Sequence, residues 1–295
     1  MNESKIRIVA ILQARMSSSR LPGKVLEPIL GQPMLGRVVG RARRARLIQE
    51  VVVATSQDPS DDPVAAFCQQ SGIPFTRGSM HDVLDRYYQA ALRFQAEVIV
   101  RLTADCPLLD PGLVDATVHA FLGRPVQMSG LRLSLAGRAN GEKIPYRPAA
   151  NPTGFAADFA ANRLPPPWRR TFPIGLDTEV CSFQALERAW QEADQPYQRE
   201  HVMPYLYNQA GRPPERRFRV LLLDHEPDYG ALRWTVDTPQ DLEMVRQVYA
   251  HLGEREDFSW YDVLDLLAQR PELAQINAQV HHKSAFDVDE RAKSE

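Results

Sequence analysis

Two patterns of apolar and polar residues alternate along the first part of the chain. Short apolar runs rich in β-branched residues are typical of strands buried on both faces of a parallel sheet, and apolar residues spaced three or four apart are typical of amphipathic helices. Strands are predicted at 6–12, 51–55, 74–76 and 97–102, and helices at 33–44, 62–72, 81–95 and from Pro111 onward. This alternation predicts a doubly wound, mostly parallel, Rossmann-like α/β sheet.

The pattern breaks over residues 124–152, where Gly, Pro, Arg and Asn dominate. This segment predicts a surface insertion or lid that carries a hairpin near residues 131–135. Periodicity returns at 155–159, with further strands predicted at 179–181, 217–223 and 233–236, and helices at 183–193, 200–208, 239 onward and 260–268. No linker interrupts this part, so we expect one domain over residues 1–280 and a disordered polar tail over 281–295.

Charge and composition exclude several classes of protein. The 295 residues include 35 Lys and Arg against 37 Asp and Glu, which gives no basic surface for nucleic acid. No apolar run approaches the roughly 18 residues of a membrane helix, and the first residues lack the pattern of a signal peptide. Cys68, Cys106 and Cys181 lack the spacing of a zinc site or a disulfide framework. We therefore expect a cytoplasmic protein with no membrane or nucleic-acid partner.

The loop after the first predicted strand, LQARMSSSRLPGK at residues 12–24, is the first candidate site. Ligands of doubly wound sheets bind beyond the carboxyl ends of the strands, where this loop lies. It lacks the glycine spacing of dinucleotide sites and of P-loops. Its two arginines, one lysine and three serines instead suit the phosphates of a nucleotide. The alternative is a solvated basic loop that only connects two elements.

Two acidic residues, Asp105 and Asp237, each follow a predicted strand at positions far apart in the sequence. Carboxylates that face a phosphate loop suit Mg²⁺, which prefers oxygen ligands and often bridges carboxylate and phosphate. The alternative for both residues is a role in a turn or a helix cap, although Thr238 is itself a suitable cap for the helix after Asp237. We interpret Asp110, before Pro111, as a helix cap without a chemical role.

Six segments in sequence order resemble the family of the spore-coat polysaccharide biosynthesis protein SpsF: QARMSSSRLPGKVL, DVLDRYYQAA, RLTADCPLLDP, GLDTEV, REHVMPYLY and RWTVDTPQDLEMVR. This family is a branch of the bacterial sugar cytidylyltransferases related to CMP-Kdo and CMP-sialic acid synthetases, and the resemblance covers residues 5–123 and 155–277. It implies the sheet of nucleotide-diphospho-sugar transferases, which is of GT-A-like type. It also implies a homodimer that uses CTP and Mg²⁺ to activate a sugar, specifically a sugar acid, for surface polysaccharide biosynthesis.

The resemblance also implies roles for individual residues. Arg20 and Lys24 face the phosphates and form the catalytic set with Asp105 and Asp237, the two metal ligands. The nucleotide-binding residues are Leu12, Gln13, Ala14, Arg15, Arg20, Lys24, Arg86 and Thr103. The residues expected near the sugar are Asp82, Asp177, Glu179, Arg199, Glu200 and His201. The alternative for His201 is a purely structural role in the core.

The chain departs from the family pattern at residues 124–152, which are longer than expected and leave the sugar pocket open to question. One alternative function is a GT-A-type glycosyltransferase, but the only Asp-x-Asp sequence, at residues 287–289, lies in the predicted tail. The other is a non-catalytic nucleotide-binding protein that uses Arg37, Arg41 and Arg44 as a partner surface. We expect these arginines to form a solvated helix face instead.

Overall fold

A nine-stranded sheet organises the part of the chain that the computed structural model describes, namely residues 6–137, 141–146, 154–253 and 256–281. The strands are β1 (Ile8–Gln13), β2 (Pro28–Ile29), β3 (Gln32–Pro33), β4 (Glu50–Ser56), β5 (Phe75–Gly78), β6 (Val98–Thr103), β7 (Leu131–Ala136), β8 (Lys143–Pro145), β9 (Phe159–Ala161), β10 (Glu179–Ser182) and β11 (Val220–His225). The helices are α1 (Met34–Ala42), α2 (Asp62–Gln70), α3 (Val83–Arg93), α4 (Pro111–Phe121), α5 (Phe183–Glu192), α6 (Pro196–His201), α7 (Pro204–Tyr207), α8 (Pro239–Leu252), α9 (Trp260–Gln269) and α10 (Glu272–Gln275).

The main sheet has the strand order β5-β4-β1-β6-β10-β9-β11-β7-β8, and β2 pairs separately with β3. The strands β5, β4, β1 and β6 are parallel to one another, as the alternating pattern predicts. The other half is mixed, because β10 runs antiparallel to both of its neighbours while β9 and β11 are parallel. The predicted doubly wound α/β fold is therefore confirmed, with an antiparallel strand beside its parallel centre.

Strand β1 shows why the sequence predicts a two-sided sheet. Residues alternate between the two faces of a strand, so Val9 and Ile11 enter one apolar core while Ala10 and Leu12 enter the other. All four side chains are fully buried. A strand with both faces covered by helices needs a continuous apolar sequence, and β1 consequently ends where polar residues begin, at Gln13.

The insertion at residues 124–152 joins the main sheet through its described parts. The predicted hairpin is present as β7 and β8, which pair antiparallel, and β7 also pairs antiparallel with β11. The insertion thereby extends one edge of the sheet. Residues 138–140 and 147–153, together with the predicted tail from residue 282 onward, lie outside the described residues.

Two predictions of secondary structure are wrong. The segment 233–236 forms no strand, because Arg233 makes one isolated bridge to Ile174 and the backbone N–H of Val236 then donates to the carbonyl of Asp105. The helix predicted over 200–208 is divided into the short helices α6 and α7, which meet at Val202. This residue has a φ of +71°, and a helix does not continue through such a conformation.

The three arginines expected on a solvated helix face differ from that prediction, because Arg37 and Arg41 of α1 are buried and only Arg44, two residues beyond the helix, is exposed. Arg41 is fully buried and donates to the carbonyl oxygens of Leu109, Glu256 and Phe258 at 2.6, 3.0 and 3.0 Å. Its guanidinium also lies 3.8 Å from the centre of the Phe258 ring. The side chain therefore satisfies three carbonyl groups in loops that have no strand partner.

None of the described helices combines the length and the apolar character that a membrane crossing requires.

We expect Arg41→Ala to lower the free energy of unfolding by about 3 kcal/mol, because it leaves three carbonyl groups without their charged donor. Urea denaturation followed by circular dichroism measures this change. The matched control is Arg44→Ala, at an exposed position two residues beyond the same helix, which should change stability by less than about 0.5 kcal/mol. Equal effects of the two substitutions would contradict a structural role for Arg41.

Candidate active site

A cleft of about 250 Å³ lies beyond the carboxyl ends of β1 and β6, as expected for this topology. One wall is the loop after β1, another is the segment that follows β6, and α3, α6 and the segment before α8 complete it. Seven of the eight predicted nucleotide-binding residues line this cleft: Gln13, Ala14, Arg15, Arg20, Lys24, Arg86 and Thr103. The eighth, Leu12, does not line it, because its side chain is fully buried in the core below.

The loop after β1 is folded back on itself by hydrogen bonds to its own backbone. The carbonyl of Met16 accepts from the N–H groups of both Ser18 and Gly23 at 2.9 Å. Gly23 has a φ of +74°, a conformation that favours glycine. The N–H of Met16 donates to the buried carboxylate of Asp61 at 2.7 Å, and Asp61 also accepts from the N–H of Ser56 at the end of β4, so it links the loop to that strand. The loop therefore presents Arg20 and Lys24 to the cleft from a fixed backbone.

Lys24 joins the two predicted metal ligands. Its Nζ lies 3.0 Å from Oδ2 of Asp105 and 2.9 Å from Oδ1 of Asp237, and it donates to the carbonyl of Val236 at 2.7 Å. Only 10% of the Lys24 side chain is exposed, so the attraction is little screened by solvent. Burial alone would lower the pKa of Lys24, but Asp105 and Asp237 together raise it above the ordinary value.

Asp237 is surrounded by three cations. Besides Lys24, Nη2 of Arg20 lies 2.8 Å from its Oδ2, and Nη2 of Arg233 lies 2.7 Å from the same oxygen. Burial would raise the pKa of this carboxyl group, but Lys24 and Arg20 outweigh burial and lower it to about 2. The carboxylate is therefore ionised throughout the physiological pH range, as a carboxylate ligand of a metal ion must be.

Three residues that were not predicted from the sequence, Arg233, Asp241 and Asn277, fix the position of Asp237. Arg233 donates to Asp241 as well as to Asp237, and the fully buried Asp241 accepts from the backbone N–H groups of Asp237 and Thr238. Asn277 donates to Asp241 at 2.9 Å from the far end of the chain. Asp241 was detectable in the sequence as the third residue of a helix capped by Thr238, where a capping box places its acid. Arg233 and Asn277 give no such local signal.

Arg86 is an unusual cation in this cleft. Its side chain is almost completely buried, and its Nε and Nη1 atoms have no hydrogen-bond partner among the described residues. Burial and the nearby charge of Arg15 lower its pKa. Because buried charges are normally paired, two unpartnered nitrogens are unusual for an arginine with a purely structural role.

The predicted sugar-binding residues are divided between the cleft and its surroundings. Glu200 and His201, at the end of α6, line the cleft. The other four are not among its lining residues and are held in ion pairs: Asp82 with Arg199, Asp177 with Arg170, and Glu179 with Arg101. Arg101 also donates to Oε1 of Gln13 at 3.0 Å, so Glu179 is connected to the cleft through Arg101 and Gln13. A sugar-binding role for these residues stays a prediction.

The donor set at Asp105 and Asp237 fits a magnesium ion. Both ligands are carboxylates that are partly open to the cleft, with 29% and 17% of their side chains exposed. Among the described residues, no group of three or more His, Cys, Asp or Glu is arranged to hold a metal. Mg²⁺ commonly binds through one or two carboxylates and completes its shell with phosphate oxygens and water, so two aspartates suffice when a triphosphate is present.

Comparisons with known proteins show which sequences and folds this chain is similar to. Residues 9–251 match the family model described as cytidylyltransferase. The spore coat polysaccharide biosynthesis protein SpsF of Bacillus subtilis is 33% identical over 90% of this chain and 96% of its own length. The 3-deoxy-manno-octulosonate cytidylyltransferase of Geobacter sulfurreducens is 37% identical over 42% of this chain and 49% of its own. The structure of a cytidylyltransferase from Leptospira borgpetersenii, 27% identical, superposes with a TM-score of 0.74 over 94% of this chain and all of that one.

We expect Lys24→Met to destabilise the protein by about 3 kcal/mol at pH 7, because Asp105 and Asp237 then face each other without their shared cation. The carboxylate of Asp237 contributes its stabilisation above the unfolded pKa of about 4 and loses it as the pH falls through about 2. The loss caused by Lys24→Met should therefore shrink as the pH is lowered from 7 towards 3.

Urea denaturation of both proteins across this pH range measures the difference. Arg20→Gln is the control, because Arg20 is more exposed and contacts only one of the two aspartates through its side chain. Its cost should stay below about 1 kcal/mol. A cost of Lys24→Met that is independent of pH would contradict the assigned electrostatic role.

Proposed function

The chain belongs to the cytidylyltransferase family, and we propose that it transfers the cytidylyl group of CTP to a sugar, releasing pyrophosphate. It is an enzyme of the nucleotidyltransferase class. The Bacillus relative is named for the synthesis of a spore coat polysaccharide, and the Geobacter relative is named for a sugar acid. These names support a sugar, specifically a sugar acid, as the acceptor and surface polysaccharide as the pathway. We place this CTP-dependent reaction in the cytoplasm and expect a homodimer.

The observation that carries this proposal is the meeting of Asp105 and Asp237 at Lys24, inside the cleft lined by the cationic loop after β1. A site that combines two carboxylates with Arg15, Arg20 and Lys24 suits a triphosphate and its counter-ion. The three cations outnumber the two carboxylates, which favours an anionic ligand over a neutral one. The arrangement therefore favours chemistry at phosphorus.

In the proposed reaction, a hydroxyl oxygen of the sugar forms a bond to the α-phosphorus of CTP. The bond from this phosphorus to the oxygen that bridges to the β-phosphorus breaks, its electron pair leaves with pyrophosphate, and the proton of the sugar hydroxyl passes to solvent. Such displacements are accelerated mainly by positioning and by neutralisation of charge. Arg20 and Lys24 supply positive charge on the side of the leaving group. Mg²⁺, when held by Asp105 and Asp237, would neutralise charge on the phosphate oxygens.

Gln13 and Glu200 are placed to orient the substrates. Arg101 holds the Oε1 atom of Gln13, so the amide presents its Nε2–H group as the remaining donor at the base of the cleft. Glu200 and His201 lie at the same cleft and offer partners for sugar hydroxyls. The sequence motif of the alternative GT-A glycosyltransferase function, at residues 287–289, lies outside the described residues, and no observation favours that function.

We expect Asp105→Asn and Asp237→Asn each to reduce turnover at least 1,000-fold, about 4 kcal/mol of transition-state stabilisation, because each removes a charged ligand of the proposed magnesium ion. Release of pyrophosphate from CTP and Mg²⁺, measured against a panel of sugar acids, gives the rate. Circular dichroism checks that the variants are folded.

The matched control is Asp62→Asn, which changes an exposed carboxylate that does not line the cleft. Its turnover should equal that of the original protein. Unchanged turnover in Asp105→Asn would remove the argument for a metal at this site.

We expect Arg86→Met to raise the KM for CTP at least tenfold and, at the same time, to raise the free energy of unfolding by about 1 kcal/mol. The substitution removes a buried cation that has unpaired nitrogens in the protein alone but gains an anionic partner when the nucleotide binds. Steady-state kinetics and urea denaturation measure the two effects. Arg93→Met, at the exposed end of the same helix, should alter neither quantity. A loss of stability in Arg86→Met would argue that Arg86 is structural.

A further inference from the structure

The segment 272–281, which begins with α10, supplies no residue to the proposed reaction, but it contacts the site at two places. The side chain of Asn277 donates to the carboxylate of Asp241. The backbone carbonyl of His281 accepts from the side chain of Arg20. Each of these two partners in turn contacts a proposed metal ligand.

Asn277 is buried, and its amide group makes two hydrogen bonds. Nδ2 donates to Oδ1 of Asp241 at 2.9 Å and to the backbone carbonyl of Arg233 at 3.1 Å. Leu273, four residues earlier, is buried in the apolar core and anchors the segment there. A single side chain therefore holds both the carboxylate of Asp241 and the backbone of its arginine partner.

The ion pair of Arg233 and Asp241 determines the orientation of Asp237. Arg233 donates to both oxygens of Asp241, at 2.8 and 3.1 Å, and also to Oδ2 of Asp237 at 2.7 Å. Only 7% of the Arg233 side chain is exposed, and Asp241 is fully buried. Arg233 cannot turn away without leaving this buried carboxylate unpaired, so Oδ2 of Asp237 has a permanent partner.

The second contact concerns Arg20, the most exposed of the three cations around Asp237. Its Nη2 contacts Oδ2 of Asp237 at 2.8 Å, and its Nη1 donates to the carbonyl of His281 at 3.4 Å. A hydrogen bond of this length is weak, so it guides the guanidinium group without fixing it. The segment 272–281 thus contacts two of the three cations around Asp237, whereas Lys24 is held by other parts of the chain.

We propose that the segment 272–281 is part of the active site and that Asn277 is its positioning residue. The inference rests on the proposed function, because it concerns a carboxylate that is assigned to the magnesium ion. Mg²⁺ requires near-ideal ligand geometry, so a carboxylate of variable orientation binds it more weakly. With Asn277 in place, Asp241 and Arg233 hold Asp237 in one orientation. Without this amide, a buried carboxylate oxygen loses a donor and the orientation is less restricted.

A positioning role has a thermodynamic consequence that a purely structural role lacks. If the docked segment favours the binding of nucleotide and Mg²⁺, then their binding must favour the docked segment by the same factor. The ligands should therefore slow local opening of the segment 272–281. This opening breaks the hydrogen bonds that the N–H groups of Ile276 and Val280 donate to the carbonyls of Leu273 and Asn277.

Asn277→Ala tests the role of the amide in binding. The full chain is titrated calorimetrically, in Mg²⁺ and again in EDTA, with a CTP analogue that has a methylene group between its α- and β-phosphorus atoms. The ratio of the two Kd values is the factor by which Mg²⁺ tightens binding. We expect this factor to fall at least about fivefold in Asn277→Ala. The Kd in EDTA should change less than about twofold, because the cations of the loop after β1 remain in place.

Asn162→Ala is the matched control, because Asn162 is another buried asparagine whose amide joins two parts of the chain. It donates to the carbonyl of Leu176 and accepts from the N–H of Thr178, both at 2.8 Å, and it does not line the cleft. Both substitutions remove buried hydrogen bonds and should lower the midpoint of urea denaturation. Asn162→Ala should nevertheless leave the Mg²⁺ factor unchanged.

Hydrogen exchange of the original protein tests the reciprocal effect and requires no variant to fold. In the first minutes of labelling, the analogue and Mg²⁺ together should slow exchange at Ile276 and Val280 at least about threefold. The reference is α5, none of whose residues lines the cleft, and its exchange should slow less.

An Mg²⁺ factor that is the same in the original protein and in Asn277→Ala would overturn the proposal, as would an equal fall in both variants. Exchange in the segment 272–281 that the ligands leave unchanged, or that slows only as much as in α5, would also overturn it. If the original protein still releases pyrophosphate from CTP, these results remove only the role of the segment. If Mg²⁺ has no effect on binding by the original protein and no sugar gives pyrophosphate, the proposed function fails and this proposal fails with it.

Discussion

The bridge that Lys24 makes between Asp105 and Asp237 is the interaction on which the site depends. These residues come from the loop after β1, the end of β6 and the segment before α8, and each segment places its own side chain through local backbone hydrogen bonds. Two carboxylates this close repel each other strongly at low dielectric constant, so the geometry persists only with a cation between them. Lys24 supplies that charge within the chain itself. Its ammonium group also shows where positive charge is most stable in the cleft, which is where a nucleotide's counter-ion is expected.

Two buried arginines of this fold, Arg41 and Arg86, differ in whether their nitrogens have hydrogen-bond partners. Arg41 is buried with three carbonyl partners, and it stabilises loops that no strand supports. Arg86 is equally buried but has two nitrogens without partners, and so it costs stability in the protein alone. A buried cation with unpartnered nitrogens is typical of binding residues, because it is desolvated before the ligand binds, and this supports the nucleotide-binding role proposed for Arg86. Burial alone therefore does not identify a functional arginine.

The sequence predicted those features that arise from local pattern. The apolar run of β1, the cap at Asp110, which accepts from the N–H of Leu113, and the cap at Thr238 all follow from residues within a few positions of each other. Convergence of Asp105 and Asp237 was predictable, because both follow core segments that lead to the same edge of the sheet. The hydrogen bonds that join Asn277 and Arg233 to Asp241 were not predictable. Asn277 lies 36 residues after Asp241, and the direction of the Arg233 side chain does not follow from its position eight residues before Asp241. The burial of Arg37 and Arg41 was missed for the same reason: helical spacing shows which residues share a face, but it does not show what covers that face.

The charged cleft and a second cavity of about 450 Å³, which adjoins the cleft at His201, are built from different parts of the fold. The cleft is built from the strands at the centre of the sheet, where a change of residue disturbs both apolar cores. The cavity is built from the sheet edge, the hairpin β7–β8 and two short helices, where changes are better tolerated. Phosphate chemistry requires fixed charges, which the loops at the centre of the sheet supply. The residues of the cavity can therefore vary without changing the charged residues of the cleft. His201 is the residue that lines both spaces.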